Sequence, residues 1–307
     1  MKRFTAAVLS SASIITVSYA KDVLINTSFY GSYMDYSSSA VKDDGYIGGV
    51  YGYAGIGLEH SVEVEIDYTK INYPQAVEAL KQWDFTVMYT NYSVRNTKIR
   101  IGGHYINSDD SATDGGIILT GGYEFYTIRS YSYGLDIALS YYDNYNIEKT
   151  YIRSLYRGMG RSPLSYTTTT TGLWVYQISP KLSYSFPETA AGDVYLETRG
   201  YYIRTSDDVG FGKNFFSVEC SLNLDTGIFE FNLYGWIGEQ EFAVKKYGFA
   251  VYNLSEKYKN GFGASIKYKM SEKSSVTVGI KRETFRELDN PRDVKISSLY
   301  FLAEVNF

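Results

Sequence analysis

Apolar and polar residues alternate at every second position along much of this 307-residue chain. The last nine residues show the pattern plainly, because Leu299, Phe301, Ala303, Val305 and Phe307 all fall on one face. A period of two is the period of a β-strand whose two faces meet different surroundings. Strands of soluble proteins cluster near about five or six residues, whereas a tilted strand that crosses a membrane needs about 9–11. Most of the alternating segments have ten or more residues, so the sequence predicts long, two-faced strands.

Fourteen such segments follow one another, and short connections alternate with longer ones. They span residues 23–36, 46–58, 62–72, 83–93, 98–107, 116–126, 131–145, 173–186, 194–205, 215–224, 228–238, 261–270, 275–287 and 294–307. The connection Asp225-Thr226-Gly227 is typical of a hairpin turn. The glycine-rich segment 46–58 and the region 242–259 are the least regular, so counts of 12 and 16 strands stay open beside 14.

The two faces predict an all-β fold, a transmembrane antiparallel up-and-down β-barrel. In one segment Trp83, Phe85 and Tyr89 lie on one face and Asp84 on the other. A soluble sheet packed on a core shows the same alternation, but here nearly every segment repeats it and no apolar element remains to cover the surface. Tyr and Trp rings bracket many apolar stretches, as they do at lipid headgroups. Because lipid offers no hydrogen bonds to the backbone, a sheet in a membrane must close on itself.

The N-terminus has the layout of a secretory signal peptide. Met1-Lys2-Arg3 is a basic start, residues 4–17 are mostly apolar and small, and Ser18-Tyr19-Ala20 is a small-x-small cleavage site. The apolar run is too short and too rich in Ser and Thr to span about 30 Å of hydrocarbon. We therefore expect residues 1–20 to be cleaved, leaving 21–307 as one barrel domain. The single cysteine, Cys220, excludes a secreted disulfide scaffold.

The leader, the strands and the terminal Phe307 resemble Gram-negative outer-membrane β-barrels, in which a C-terminal aromatic residue serves as an assembly signal. The architecture is similar to that of monomeric porins with fourteen strands. Since the first strand starts at Val23, we expect no N-terminal plug or hatch. The resemblance implies an outer-membrane porin-like channel for passive diffusion of ions and small hydrophilic solutes. It also implies contact with outer-membrane lipids and lipopolysaccharide; we favour a monomer over a trimer and expect neither a cofactor nor nucleic-acid binding.

Charged residues on the polar faces are candidates for the pore lining. The candidates are Glu63, Glu65, Asp67, Asp84, Lys98, Arg100, His104, Asp136, Lys181, Glu197, Arg199, Glu219, Glu230, Lys267, Lys269 and Lys281. With Glu124, Glu283 and Glu304 added, acids outnumber bases on this face. Charge in a pore sets its selectivity by adjusting local ion concentration, so this excess predicts a mild cation preference. The alternative is that these groups pair across neighbouring strands and only solvate the wall.

The long connection 147–171 carries Lys149, Arg153, Arg157 and Arg161. One hypothesis is that it folds into the mouth and narrows the pore. A second is that its arginines lie outward and bind lipopolysaccharide phosphates, and a third is a plain polar loop. The other long connection, 239–260, mixes lysines with aromatic residues and is expected to be partly strand.

Two further classes of function stay open. A barrel-borne hydrolase of lipase or protease type needs a histidine, an acid and a nucleophile within hydrogen-bond reach. His104 near Asp109 and Asp110 is the best candidate pair. A non-conducting adhesin or structural barrel is the other class. The sequence contains no cluster with metal-ligand spacing, and Cys220 falls on the predicted lipid face as a small apolar residue.

Overall fold

The computed structural model describes residues 23–36, 39, 41–74, 78–127, 131–145, 172–189, 192–288 and 292–307. Within them, fourteen antiparallel strands form one closed barrel. The first eleven are β1 (Val23–Asp35), β2 (Asp44–Ile56), β3 (His60–Ile71), β4 (Leu80–Asn91), β5 (Thr97–Ser108), β6 (Ile117–Tyr126), β7 (Tyr131–Tyr142), β8 (Leu173–Thr189), β9 (Gly192–Thr205), β10 (Asn214–Asp225) and β11 (Phe229–Gln240). Two short strands, β12 (Val244–Lys245) and β13 (Ala250–Val251), form a separate ribbon. The barrel is completed by β14 (Glu256–Ser271), β15 (Ser274–Glu287) and β16 (Asp293–Asn306).

Closure joins the last strand to the first. β1 and β16 pair antiparallel from Asn26 opposite Asn306 to Asp35 opposite Ser297. The side-chain amide of Asn26 donates to Asn306 Oδ1 at 2.7 Å, and the Phe307 N–H donates to the Ile25 carbonyl at 2.8 Å. Every predicted segment corresponds to one barrel strand, so the predicted closed barrel of fourteen strands is confirmed.

The two ends of the barrel differ in their connections. At the end where β1 begins and β16 ends, the connections have two to five residues; at the other end most have eight or more. We call these the terminal end and the loop end. The structure therefore has the asymmetry expected of a bacterial outer-membrane barrel, with short turns on one side and long loops on the other.

The outer face of the barrel is apolar along most strands. Phe301 is 48% exposed, Leu233 55% and Ile101 65%, and each lies on the face predicted to meet lipid. Trp and Tyr rings pair on this face, as Tyr141 and Trp174 do with centroids 4.5 Å apart. None of the described residues forms a helix long and apolar enough to cross a membrane.

Aromatic side chains on the inner face lie over glycines of the neighbouring strand. A Cβ on Gly279 would come within 2.2 Å of the Tyr300 ring, and one on Gly263 within 2.5 Å of the Tyr234 ring. The missing side chain thus makes the space in which the ring lies flat against the wall. These glycines are needed for close packing of β11 against β14 and of β15 against β16.

The inner face is divided into two halves. Toward the terminal end it is polar, as predicted. Toward the loop end it is apolar, and there the expectation of a polar inner face is wrong. Buried side chains form two clusters, one containing Ile118, Leu173 and Phe215 and the other Tyr258 and Phe285. The inside of the loop end is therefore packed as a hydrophobic core.

Candidate functional site

The connection between β11 and β14, residues 241–255, folds into the barrel; we call it the inner segment. β12 and β13 pair through Val244 opposite Val251, and a 3₁₀ turn, Lys246–Gly248, forms the tip. The prediction that this connection is partly strand is confirmed. Phe242, Lys246 and Tyr247 have φ values of 54°, 49° and 63°, in the left-handed region that non-glycine residues seldom occupy. The backbone of the inner segment is thus strained in the position it holds.

Apolar side chains attach the start of the inner segment to the loop-end core. Phe242 is fully buried, with its ring centroid 5.3 Å from that of Tyr142 and 5.4 Å from that of Tyr145. Farther along, Tyr252 packs against both apolar clusters, and its ring meets Tyr258 edge-on at 4.7 Å. The inner segment therefore bridges the two clusters across the barrel.

Polar contacts fix the same segment to the wall. The Gln177 side chain accepts from the Val244 N–H at 2.9 Å and donates to the Val244 carbonyl at 2.6 Å. Asn253 donates to Gln82 Oε1 at 2.8 Å, and the Tyr252 hydroxyl donates to Glu283 at 2.8 Å. These bonds reach β8, β4 and β15, three well-separated parts of the barrel.

Glu241 is the one buried side chain of the inner segment, among the described residues, whose carboxyl group has no hydrogen-bond partner on either oxygen. It is fully buried beside Phe242. Burial raises its pKa to about 9, with Asp208 adding to the rise and Lys257 opposing it. A carboxyl group of this kind is held in its neutral form while the segment is docked.

Lys245 anchors the middle of the segment to β10. Its ammonium donates to Glu219 at 2.8 Å and lies 4.6 Å from the centre of the Trp236 ring. Burial lowers the pKa of Lys245, and Glu219 opposes that shift. The adjacent Lys246 stays exposed.

The tip residue Tyr247 is enclosed by three cations of the wall. The guanidinium of Arg100 lies 4.0 Å from the ring centroid, and Arg199 and Lys181 both lie 5.0 Å away. The Tyr247 hydroxyl accepts from Lys181 Nζ at 2.9 Å and from Arg199 at 3.2 Å. We call Arg100, Lys181 and Arg199 the cationic cage.

Carboxylates of β6 and β7 hold the cage in place. Glu124 lies 2.6 Å from Lys181 and 3.0 Å from Arg100, while Asp136 lies 2.7 Å from Arg199. All five side chains are almost fully buried. On this wall the inner charges therefore pair with one another, Arg100 with Glu124 on the neighbouring strand and Lys181 and Arg199 with carboxylates two strands away.

The wall of β3 and β4 is different, because its acids bind neutral donors. Tyr30 donates to Glu65 at 2.6 Å and lies 3.2 Å from Asp67, and Tyr51 donates to Glu63 at 2.6 Å. Within the part of the chain that the structure describes, no Lys or Arg lies at ion-pair distance from these acids or from Asp84. The lumen thus has an acidic wall on β3 and β4, next to β5, which carries Arg100 of the cage.

The remaining pore-lining candidates also lie on the inner face. Glu197 contacts Arg199 at 3.3 Å, Lys267 contacts Glu304 at 3.0 Å and Lys281 contacts Glu283 at 2.8 Å. Lys98 lies 3.6 Å from Glu124, Lys269 lies 2.7 Å from Asp225, and Asn223 donates to Glu230 at 2.7 Å. That these residues line a conducting pore stays a prediction.

His104 has other partners than those expected. Its Nε2 lies 3.2 Å from Asp84 and its Nδ1 lies 2.8 Å from Thr86 Oγ1. Asp109 and Asp110 instead accept backbone N–H groups in the β5–β6 connection and nearby, so the expected pairing is wrong. The true partners were out of reach of sequence reasoning because they lie on β4, and the register that brings them to His104 is set by the whole sheet.

The remaining predictions concern the N-terminus, the long connection 147–171, Cys220 and metal binding. Residues 1–20 and the basic residues Lys149, Arg153, Arg157 and Arg161 lie outside the described residues. Cys220 lies on the outer face, as predicted. Among the described residues, no group of three or more His, Cys, Asp or Glu side chains is placed to hold a metal ion.

Comparison with known proteins shows similarity of fold. No protein-family model and no curated protein matches the chain. The toluene transporter TbuX of Ralstonia pickettii is similar with a TM-score of 0.51 and 6% identity, over 94% of this chain and 90% of that one. OmpT, an outer-membrane protein of Vibrio cholerae, aligns with a TM-score of 0.47 and 7% identity, over 95% and 100%. An anion-selective porin from Comamonas acidovorans aligns with 0.43 and 8%, over 93% and 99%. The chain thus has the closed antiparallel barrel fold of outer-membrane proteins.

Proposed function

We propose that this chain is an outer-membrane channel for passive diffusion of ions and small hydrophilic solutes, and that the inner segment closes it. The observation that carries the proposal is the charged, hydrogen-bonded inner wall of the terminal half, lying directly below a segment that crosses the loop end. A barrel of about eight strands can be filled by its own side chains, and one of fourteen encloses more room. The inner segment occupies part of that room at the loop end.

Two features support a segment that closes the passage reversibly. Its backbone is strained at Phe242, Lys246 and Tyr247, and it buries the unpaired Glu241 carboxyl group. Both features cost free energy in the docked position and are relieved when the segment leaves it. The apolar contacts of Phe242 and Tyr252 stabilise the docked position. The docked and released positions of the segment therefore differ little in free energy.

We include a mild cation preference in the proposal. No Lys or Arg among the described residues lies at ion-pair distance from Glu63, Glu65, Asp67 or Asp84, whereas each cation of the cage faces a carboxylate. The acids without such a partner are therefore grouped on β3 and β4, and carboxylate charge there raises the local concentration of cations. The reversal potential in a salt gradient tests this point, and clear anion preference contradicts it.

The cellular setting is part of the same proposal. Residues 1–20 direct export, the barrel inserts in the outer membrane of a Gram-negative bacterium, and the terminal end faces the periplasm. The fold supports this placement, because outer-membrane barrels have short periplasmic turns and long outer loops. Outer-face apolar side chains contact lipid, the loops meet lipopolysaccharide, and the barrel is a monomer.

Single-channel recording of the refolded protein in planar bilayers tests the channel. Replacing residues 244–251 with a Gly-Ser linker removes the tip of the inner segment and is expected to increase conductance or open time severalfold. The matched control replaces the turn 272–273 at the terminal end with Gly-Ser and leaves both unchanged. Absence of conductance in the wild type and in the 244–251 variant alike would refute the channel and favour a structural barrel.

A hydrolase is less well supported. Both ring nitrogens of His104 are engaged, by Asp84 and Thr86, and its side chain is buried. An acid on one ring nitrogen and a hydroxyl on the other is also the order of a catalytic triad, but Asp84, Thr86 and His104 are all buried, so the Thr86 hydroxyl is not open to a substrate in this position. Hydrolysis of lipid or peptide that is lost in His104→Ala would restore this alternative.

A further inference from the structure

The cationic cage has the composition of a binding site, and the chain itself occupies it. Arg100, Lys181 and Arg199 each retain less than a tenth of their side-chain exposure. They surround one aromatic ring, and two of them, Lys181 and Arg199, donate to its oxygen atom, the hydroxyl of Tyr247. An arrangement of this kind recognises a planar ring by its π-face and an oxygen by charge-assisted hydrogen bonds.

The charges around the ring favour an anionic oxygen over a neutral one. Four cations, Lys98 and the three of the cage, face the carboxylates of Glu124, Asp136 and Glu197. The group as a whole thus carries one more cation than carboxylate, and the Tyr247 hydroxyl within it is neutral. A carboxylate oxygen in that place would accept the same two hydrogen bonds and supply the missing negative charge.

Two details show that Tyr247 does not saturate the site. The Nε–H of Arg100 is buried and has no hydrogen-bond partner among the described residues. A cavity of about 10 Å³, room for roughly one water molecule, lies between Arg100, Tyr247 and Val244. A ligand slightly larger or more polar than a phenol ring can make contacts there that Tyr247 does not.

Tyr247 also has a strained, left-handed backbone in this position, at φ 63°, next to Lys246 at φ 49°. A free ligand carries no such strain. We infer that the cationic cage is a binding site for small aromatic carboxylates, single-ring acids of the benzoate class, which displace Tyr247 and thereby release the inner segment. This inference rests on the proposed channel function and names the class of solute that opens it.

Calorimetric titration of the full chain in detergent micelles tests the site without depending on conductance. The probes are benzoate, p-cresol (a ring with a neutral oxygen) and cyclohexanecarboxylate (the acid without a π-face). Benzoate is expected to bind at least tenfold more tightly than either of the others. Tyr247→Ala, which removes the internal competitor, is expected to bind benzoate at least tenfold more tightly than the wild type.

Phe249→Ala is the matched control, because it removes an aromatic ring from the same segment outside the cage. It should bind benzoate more weakly than Tyr247→Ala does, because Tyr247 still occupies the cage. In Tyr247→Ala, the added change Lys181→Met removes a donor to the oxygen and should abolish the preference for benzoate over p-cresol. Equal benzoate affinity in the wild type, Tyr247→Ala and Phe249→Ala, or no binding in any of them, would overturn the site.

Planar-bilayer recording separates this inference from the channel itself. Benzoate is expected to raise the open fraction of the wild type at concentrations at which cyclohexanecarboxylate has no effect. If the protein conducts, but benzoate neither binds to the variants nor changes their conductance, the proposed binding site is rejected and the proposed channel is retained. If Tyr247→Ala binds benzoate but no variant conducts, the proposed channel is rejected and the proposed binding site is retained.

Discussion

The side chain of Gln177 binds both backbone groups of Val244, accepting its N–H at 2.9 Å and donating to its carbonyl at 2.6 Å. Gln177 thereby acts toward the inner segment as a neighbouring strand would. All four atoms are buried in the barrel. This contact links the wall of β8 to the start of β12 and fixes the depth at which the segment lies.

Gln177→Leu should therefore undock the inner segment. The substitution leaves the N–H and the carbonyl of Val244 without partners, at a cost of about 1–3 kcal/mol for each buried group. We expect the open fraction in planar bilayers to increase by tenfold or more. Gln82→Leu removes one bond to the segment, that from Asn253, together with the bonds that Gln82 donates to Asp84 on the wall, and should give a smaller increase. An open fraction unchanged in Gln177→Leu would show that this contact does not hold the segment.

Glu241 should make docking of the segment depend on pH. Its pKa is about 9 when docked, because of burial and Asp208 against the opposing Lys257; once exposed to water it returns to its ordinary value of 4.5. The docked state thus keeps a proton that the released state loses, so Glu241 favours docking at low pH and this contribution is lost as pH rises from 4.5 toward 9. Tyr145, which also faces Glu241, has a pKa raised above its ordinary value and stays neutral throughout.

The open fraction should accordingly rise between pH 5 and pH 8, by up to about tenfold per pH unit for one proton. Lys42 at the loop end contributes little in this range, because burial lowers its pKa only to about 8. Glu241→Gln removes the titrating group and should flatten the profile. A wild-type profile that is already flat, or a slope that survives in Glu241→Gln, would show that another group controls docking.

The glycine under Tyr300 should be required for the stability of the closing strands. A Cβ on Gly279 would lie 2.2 Å from the Tyr300 ring, so Gly279→Ala must displace the ring and is expected to cost about 1–3 kcal/mol. Gly103 on β5 is the matched control, because a Cβ there meets its nearest atom at an ordinary 3.7 Å. Urea unfolding in lipid vesicles measures both, and equal stability of the two variants would contradict the packing argument.

The sequence predicted the barrel because its signal is repeated. Each strand meets lipid along one face, so Leu299, Phe301 and Val305 follow the period of two that fourteen strands share. Fixing that face also fixes the parity of the pairing between β1 and β16, since a slip by one residue would turn every apolar side chain inward. The inner position of residues such as Glu65 and Lys267 follows from the same parity.

The inner core and the inner segment were missed for the opposite reason. At the loop end, strands have apolar residues on both faces, as in Ile117-Ile118 and Phe215-Phe216. These adjacent pairs were the available signal, but a period-two analysis discards them. The cationic cage could not be predicted from the sequence, because Arg100, Lys181 and Arg199 meet Tyr247 only when a loop far along the chain folds into the barrel.

A reversible cross-link across the lumen tests the central claim, that the inner segment closes the channel. The rings of Tyr51 on β2 and Phe249 on the segment meet edge-on with centroids 5.6 Å apart. In Tyr51→Cys/Phe249→Cys, with Cys220→Ser as background, a short bis-methanethiosulfonate cross-linker, which forms a disulfide bond with each cysteine, should hold single-channel conductance near zero. A reducing agent cleaves those disulfides and should restore conductance. Conductance that is the same before cross-linking, after it and after reduction would contradict the account.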